Sequence, residues 1–153
     1  MNDQLDAFLQ QVQDRIFELT RREFGEKVFE RWQNPLYMGD MPHADGHAKL
    51  KGTCGDSMEM YLKVADGRVV DASFQTDGCG PSIVCGSYAA EMARGKTLEE
   101  LLEFSGASIL RELGGLPTEH EHCAFLAAES VKAAVDDYMI KRVRKPQEER
   151  TSD

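Results

Sequence analysis

Apolar residues at spacings of three and four open the chain: Leu5, Phe8, Leu9, Val12, Ile16 and Leu19 line one side of a predicted helix. Gly25 weakens the run, and Phe24, Val28, Phe29 and Trp32 resume it until Asn34-Pro35 ends it. A loop rich in Gly, Pro, Asp and His follows, and then the period changes to two. Met58, Met60, Leu62 and Val64 alternate with Glu59, Tyr61 and Lys63, as in a strand with one face buried. Asp66-Gly67 reads as a hairpin turn, Val70, Ala72 and Phe74 as the inward face of the returning strand, and His47 to Gly52 as a third strand. The helical period then returns. Pro81 fits a first turn ahead of the stripe Ile83, Tyr88, Ala89 and Met92, which ends at Gly95. Thr97 with Glu100 forms a capping box before Leu98, Leu101 and Leu102. Ile109, Leu110 and Leu113 make another short helix, stopped by Gly114-Gly115. The last helix is expected from about Glu121 to Val143, with Leu126, Ala127, Val131, Ala134, Val135 and Tyr138 inward. The order helix, strands, helices predicts an α+β fold with helices covering one face of an antiparallel sheet.

Composition narrows the function. The 153 residues, 41% of them hydrophobic, suit one domain that buries a core without disulfides. No apolar run is long enough to span a bilayer, and the acidic start MNDQLDAF is unlike a signal or transit peptide, so a cytoplasmic protein without a membrane partner is expected. The net charge of −9 argues against nucleic acid as a partner. Lys141, Arg142, Arg144 and Lys145 form a short basic patch, expected to complement a helix C-terminus and lead into a solvated tail; a docking surface for an acidic partner is the alternative.

The four cysteines carry the chemistry, because in a reducing compartment they bind metal or react more often than they pair. Cys54, in Gly52-Thr53-Cys54-Gly55-Asp56, lies between two strands with glycines that admit close approach of a ligand. Cys79, in Asp77-Gly78-Cys79-Gly80, precedes a helix, and Cys123 follows His122 at the start of the last one. Helix N-termini favour thiolate over thiol at the latter two. Cys85 falls inside a helix and reads as a small buried hydrophobe, with a spare thiol near the site as the alternative. No CxxC pair exists, which removes a zinc knuckle. Zinc held by dispersed cysteines plus Asp56 or His122 remains chemically sound. A Cys123–His122 nucleophile pair is the third option, without any accompanying substrate motif.

The strings GTCGD (52–56), DGCG (77–80), the Gly95-Lys96-Thr97 helix boundary, GGLP (114–117) and HCAFLA (122–127), with the entry Glu30-Arg31-Trp32-Gln33-Asn34-Pro35, stand in the order and spacing of the IscU/NifU-type iron-sulfur cluster assembly scaffold. From about Phe24 to Arg142 the chain resembles that family. The resemblance implies a three-stranded antiparallel sheet with helices on one face and the cysteines at one end. It also implies three divisions: an N-terminal helical extension at 1–22, the scaffold domain at 23–143 and the tail at 144–153. Its ligands fall on Cys54, Cys79 and Cys123, with Asp56 and His122 as candidates for the remaining position. By the same resemblance a cysteine desulfurase delivers persulfide sulfur to Cys123, ferrous iron (Fe2+) enters among the cysteines and Asp56, and an electron donor such as ferredoxin completes a [2Fe-2S] cluster for apo-protein acceptors. A scaffold of this kind is not an enzyme. Zinc (Zn2+) in the purified protein, or a zinc-bound regulator or sulfur acceptor of the desulfurase, is the alternative.

Some features depart from the family pattern. Leu116-Pro117-Thr118-Glu119-His120 replaces the Leu-Pro-Pro-Val-Lys string of members served by a dedicated Hsp70-type chaperone, so release by that route is not expected. Cys85 replaces a small hydroxyl residue. The amphipathic extension is expected to pack on the body, with homodimer formation or partner docking as its other uses.

Overall fold

The segments of helical and twofold period are helices and strands in the computed structural model, which describes the backbone of residues 3–151 and the side chains of residues 3–144. Helices α1 (Asp3–Phe24) and α2 (Glu26–Gln33) precede strands β1 (Gly46–Lys51), β2 (Ser57–Ala65) and β3 (Arg68–Thr76). Helices α3 (Gly80–Ala93), α4 (Leu98–Leu102) and α5 (Gly106–Leu113), a 3-10 turn (Thr118–His120) and α6 (Glu121–Thr151) follow. The sheet has the order β1-β2-β3 with both pairs antiparallel. Met58, Met60, Leu62, Ala72 and Phe74 point from it into the core with α3 and α6.

The expected inward position of Val70 is corrected by a bulge. Lys63 pairs with Asp71 but Val64 pairs with Val69, so Val70 is the extra residue. Val69 is fully buried and Val70 is 51% exposed.

Helix α3 is enclosed on almost every side. Ala89 is fully buried and Tyr88 nearly so, but Ile83 and Met92 of the expected stripe are only partly covered, and Val84 and Cys85 join the core. A single stripe cannot describe a helix packed at once on β3, α2 and α6. Gly86 lets it approach the sheet, since a Cβ there would stand 2.4 Å from the Phe74 ring. Buried Ser87 accepts hydrogen bonds from Arg31 (3.1 Å) and the Leu36 N–H (3.1 Å) and donates to the Leu36 carbonyl (2.8 Å). Arg31 also pairs with Glu91 at 3.2 Å and lies over the Tyr88 ring, so α2 is seated on α3.

The expected packing of the N-terminal stripe on the body is not what the structure shows. Leu5, Phe8, Leu9, Val12, Ile16 and Leu19 are each 40 to 59% exposed, and α1 has no buried residue. It meets the body through another face, with Phe17 edge-on to Phe29, Arg21 over Phe29, and Phe24 against Trp32 and His120. Gly25, at φ +91 between α1 and α2, sets the direction in which the chain passes from one helix into the other.

At the other end α6 continues to Thr151, where Val143 was the expected last residue. Lys141 pairs with Asp137 and Arg142 donates to the Tyr138 hydroxyl, so two cations of the basic patch bond one turn back along the helix. The Lys145 side chain, and those of all but the first residue of the expected tail at 144–153, lie outside the described residues.

Gly86→Ala is expected to destabilise the fold by about 1–3 kcal/mol through overpacking against Phe74, despite the better helix propensity of alanine. Urea denaturation followed by circular dichroism measures it, and unchanged or raised stability would show that α3 has room at this position.

Candidate functional site

Two loops and two helix starts meet at one end of the sheet. In the loop between β1 and β2, the Gly52 N–H donates to the Asp56 carbonyl at 2.8 Å and the Gly55 N–H to the Gly52 carbonyl at 3.0 Å. Gly55 has φ +94, a conformation that a side chain would strain, and the resulting turn holds Cys54 exposed. In the loop between β3 and α3, Cys79 is the N-cap of α3, also exposed, with Pro81 in the first turn. No side chain caps that helix start, so its free N–H groups remain beside Cys79.

The loops are tied together. The Ser57 N–H donates to Asp77 Oδ1 at 2.6 Å, and Thr76 Oγ1 donates to the Ser57 carbonyl at 2.6 Å while accepting from the Gly78 N–H at 3.1 Å. The Ser57 hydrogen bond holds the Asp77 carboxyl below the usual carboxylate range. Gly78 is required by crowding, because a Cβ there would lie 2.5 Å from Ser82 Oγ and 2.8 Å from Asp56 Oδ2.

Ser82 links the site residues. It stands three residues after Cys79, only 1% exposed, and its hydroxyl donates to Asp56 Oδ2 at 3.3 Å while lying 3.4 Å from Cys123 Sγ. A hydroxyl has one proton to give, so with Asp56 accepting it the Cys123 S–H becomes the donor to Ser82. His122 Nε2 lies 3.6 Å from the same sulfur. Asp56, Ser82, Cys123 and His122 therefore form one contiguous group.

Cys123 is itself 1% exposed, and burial pushes its thiol up from the ordinary value. The Ser82 hydrogen bond opposes this shift, while the charges of Cys79, Cys54 and Asp56 add to it. Cys123 stands in the first turn of α6, as expected, but burial and the neighbouring charges there oppose the thiolate that a helix N-terminus favours. Cys85 is fully buried, and burial raises its thiol further still, in keeping with its reading as a small hydrophobe.

Among the described residues, no three His, Cys, Asp or Glu side chains are arranged to hold a metal ion as they stand. Cys54, Cys79 and Asp56 surround Cys123 closely enough for their charges to act on its thiol, without converging on one point. His120 is directed elsewhere, onto Phe24.

Three residues absent from the sequence-based site belong to it. Ser82 was legible as the position one turn after Cys79, on the same face of the helix. Asp77 acts through a backbone N–H across the sheet, which no local pattern marks. Trp32 lies against the start of α3, where a Cβ on Gly80 would stand 1.8 Å from its ring.

Residues 23–145 match the family described as NifU-like N terminal domain. The chain belongs to this family. One relative, the iron-sulfur cluster assembly scaffold protein IscU 1 of Archaeoglobus fulgidus, is 43% identical over 119 residues, which cover 77% of this chain and 78% of that protein. Another, iron-sulfur cluster assembly protein 2 of Arabidopsis thaliana, is 37% identical over 131 residues, 82% of this chain and 80% of that protein. The solved N-terminal part of a nitrogen-fixing NifU-like protein from Brucella abortus has a TM-score of 0.63, covering 79% of this chain and 97% of that one at 21% identity, a likeness of fold. The NifU-like match starts at residue 23, so nearly all of α1 stands outside it.

Burial and the raised thiol predict an order of alkylation for this NifU-like site. With iodoacetamide at neutral pH, Cys54 and Cys79 are expected to label first, Cys123 more slowly and Cys85 last, with Cys123 accelerating as pH rises past the ordinary thiol range. Peptide mass spectrometry reads the order. Cys123 labelling as fast as Cys54 at neutral pH would contradict the geometry.

Proposed function

We propose that this chain is a scaffold on which iron-sulfur clusters are assembled and from which they pass to apo-proteins, without being an enzyme itself. One observation carries the reading: the buried Ser82 hydroxyl joins Asp56 to Cys123, and Cys54 and Cys79, from two other chain segments, lie near enough for their charges to act on the Cys123 thiol. The names of its relatives support it, since one is called a scaffold protein for this assembly.

In this reading Cys54, Cys79 and Cys123 are the thiolate ligands, and Asp56 or His122 takes the fourth position. The cargo is a [2Fe-2S] cluster built from ferrous iron and sulfane sulfur. A desulfurase persulfide reacts when the Cys123 thiolate attacks its outer sulfur: the sulfur–sulfur bond of the donor breaks, the donor thiolate leaves and Cys123 carries the new persulfide. Because Cys123 is buried, the side chains covering it move first. Two sulfane sulfurs need four electrons to become sulfide; two ferrous ions becoming ferric supply two, and a ferredoxin-like donor supplies the rest.

Stable clusters usually have four thiolates, so three thiolates and one oxygen or nitrogen ligand hold the cargo less firmly. A carrier needs that lability. The same donor set suits zinc, which makes a zinc-bound regulator or sulfur acceptor of a desulfurase the second reading.

Metal and acid-labile sulfide analysis after anaerobic incubation with desulfurase, cysteine, ferrous iron and reductant separates the two. The scaffold predicts equal iron and sulfide with visible absorption bands; zinc without sulfide, unchanged by the incubation, would sink it. Asp56→Ala is expected to lengthen the cluster lifetime several-fold in the visible absorption decay. A faster decay in the variant would remove the release role of Asp56.

A further inference from the structure

Cys123 is 1% exposed, so a reagent reaches it only after part of the fold gives way. Helix α6 starts directly behind the 3-10 turn Thr118–His120, and that turn follows two glycines, Gly114 and Gly115, at φ +83 and +103. The turn is closed by its own backbone: the His120 N–H donates to the Pro117 carbonyl at 2.8 Å and the Glu121 N–H to the Thr118 carbonyl. No side-chain hydrogen bond caps it. A helix start without a capping side chain leaves its first N–H groups to water and opens at low cost. An aromatic contact ties this turn to the N-terminal helices, with the His120 and Phe24 ring centroids 5.4 Å apart.

Phe24 stands where three segments meet. It is the last residue of α1, followed at once by Gly25 at φ +91, and its ring also lies edge-on to Trp32 at 5.4 Å. Trp32 in turn covers Gly80, and Arg31 beside it pairs with Glu91, so this side of the contact is fastened to α3. The other side is the turn in front of Cys123. His120 precedes Cys123 by three residues, about one helical turn, so movement of the turn away from Phe24 begins to unwind the part of α6 that carries the buried thiol. We propose that Phe24 is a positioning residue that pins residues 118–123 closed over Cys123, and that a swing of α1 about Gly25 withdraws the pin and exposes the thiol. The use of this opening rests on the scaffold reading, in which it admits a sulfur donor to Cys123.

The full metal-free chain under reductant tests the pin, with iodoacetamide labelling of each cysteine at one neutral pH and amide exchange of the backbone, both read by peptide mass spectrometry. An aromatic contact of this kind is worth a factor of about two to ten in a local equilibrium. Phe24→Ala is expected to raise Cys123 labelling and the amide exchange of residues 119–123 by that factor, while Cys54 labelling and exchange in β2 stay unchanged. His120→Ala, which removes the other half of the contact at a half-buried position, should give the same gain, with Phe24→Ala adding little to it. Phe24→Tyr should label like the unsubstituted chain. No gain at Cys123 in either alanine variant, or gains that multiply in the pair, would overturn the pin. A rise of β2 exchange equal to that at 119–123 in His120→Ala would make the effect a general loss of stability and overturn it as well. Iron, sulfide and desulfurase take no part in this experiment, so failure of the pin leaves the scaffold reading standing, and failure to form a cluster leaves the pin.

Discussion

Helix α3 is held between β3, α2 and α6, and its enclosure decides where the cysteine end of the molecule lies. Gly86 against Phe74 sets its height above the sheet, and Gly80 beneath Trp32 sets its start. Ala89, Ala90 and Ala93 on α3, with Ala124, Ala127 and Ala128 on α6, are fully buried small residues that let the helices come close. A turn of α3 by one residue, about 100°, would carry Cys79 and Ser82 off the site together. Cys79 and Ser82 thus depend for their place in the site on how α3 is packed along its length.

The same packing creates the electrostatic character of the site. Ser82 and Cys123 are dry, so the hydroxyl and thiol satisfy each other and pass the hydrogen-bond chain to Asp56. Cys54 and Cys79 stand in solvent. In the scaffold proposed above, one candidate ligand is a buried thiol and two are exposed, so binding a metal there would expel the Cys123 proton. On that proposal, burial of the thiol makes metal affinity fall as pH falls.

Much of this architecture was legible in the residues. The capping box at Thr97 and Glu100, the hairpin at Asp66-Gly67 and the twofold alternation of β2 stand where their patterns put them. The misses share a cause, which is that tertiary contacts override local period. Val70 was misplaced because a bulge inserts one residue without changing the composition of the strand. The stripe on α3 was incomplete because a helix buried all round has no single face. The packing of α1 was misjudged because an apolar stripe says only that something covers it, and the chain direction at Gly25 decides what can. At the site, the spacing of Cys79 and Ser82 contained the link that was missed, whereas the burial that raises Cys123 is invisible until α6 is set against α3.

The central claim, that the site both builds a cluster and gives it up, is tested most directly by transfer. Protein loaded with [2Fe-2S] is mixed with an apo-ferredoxin in the presence of an iron chelator, and visible circular dichroism follows the cluster. The account predicts that the ferredoxin signal appears faster than the chelator takes iron, with matching loss from this chain. Retention of the cluster, or loss to the chelator alone with no ferredoxin formed, would contradict it.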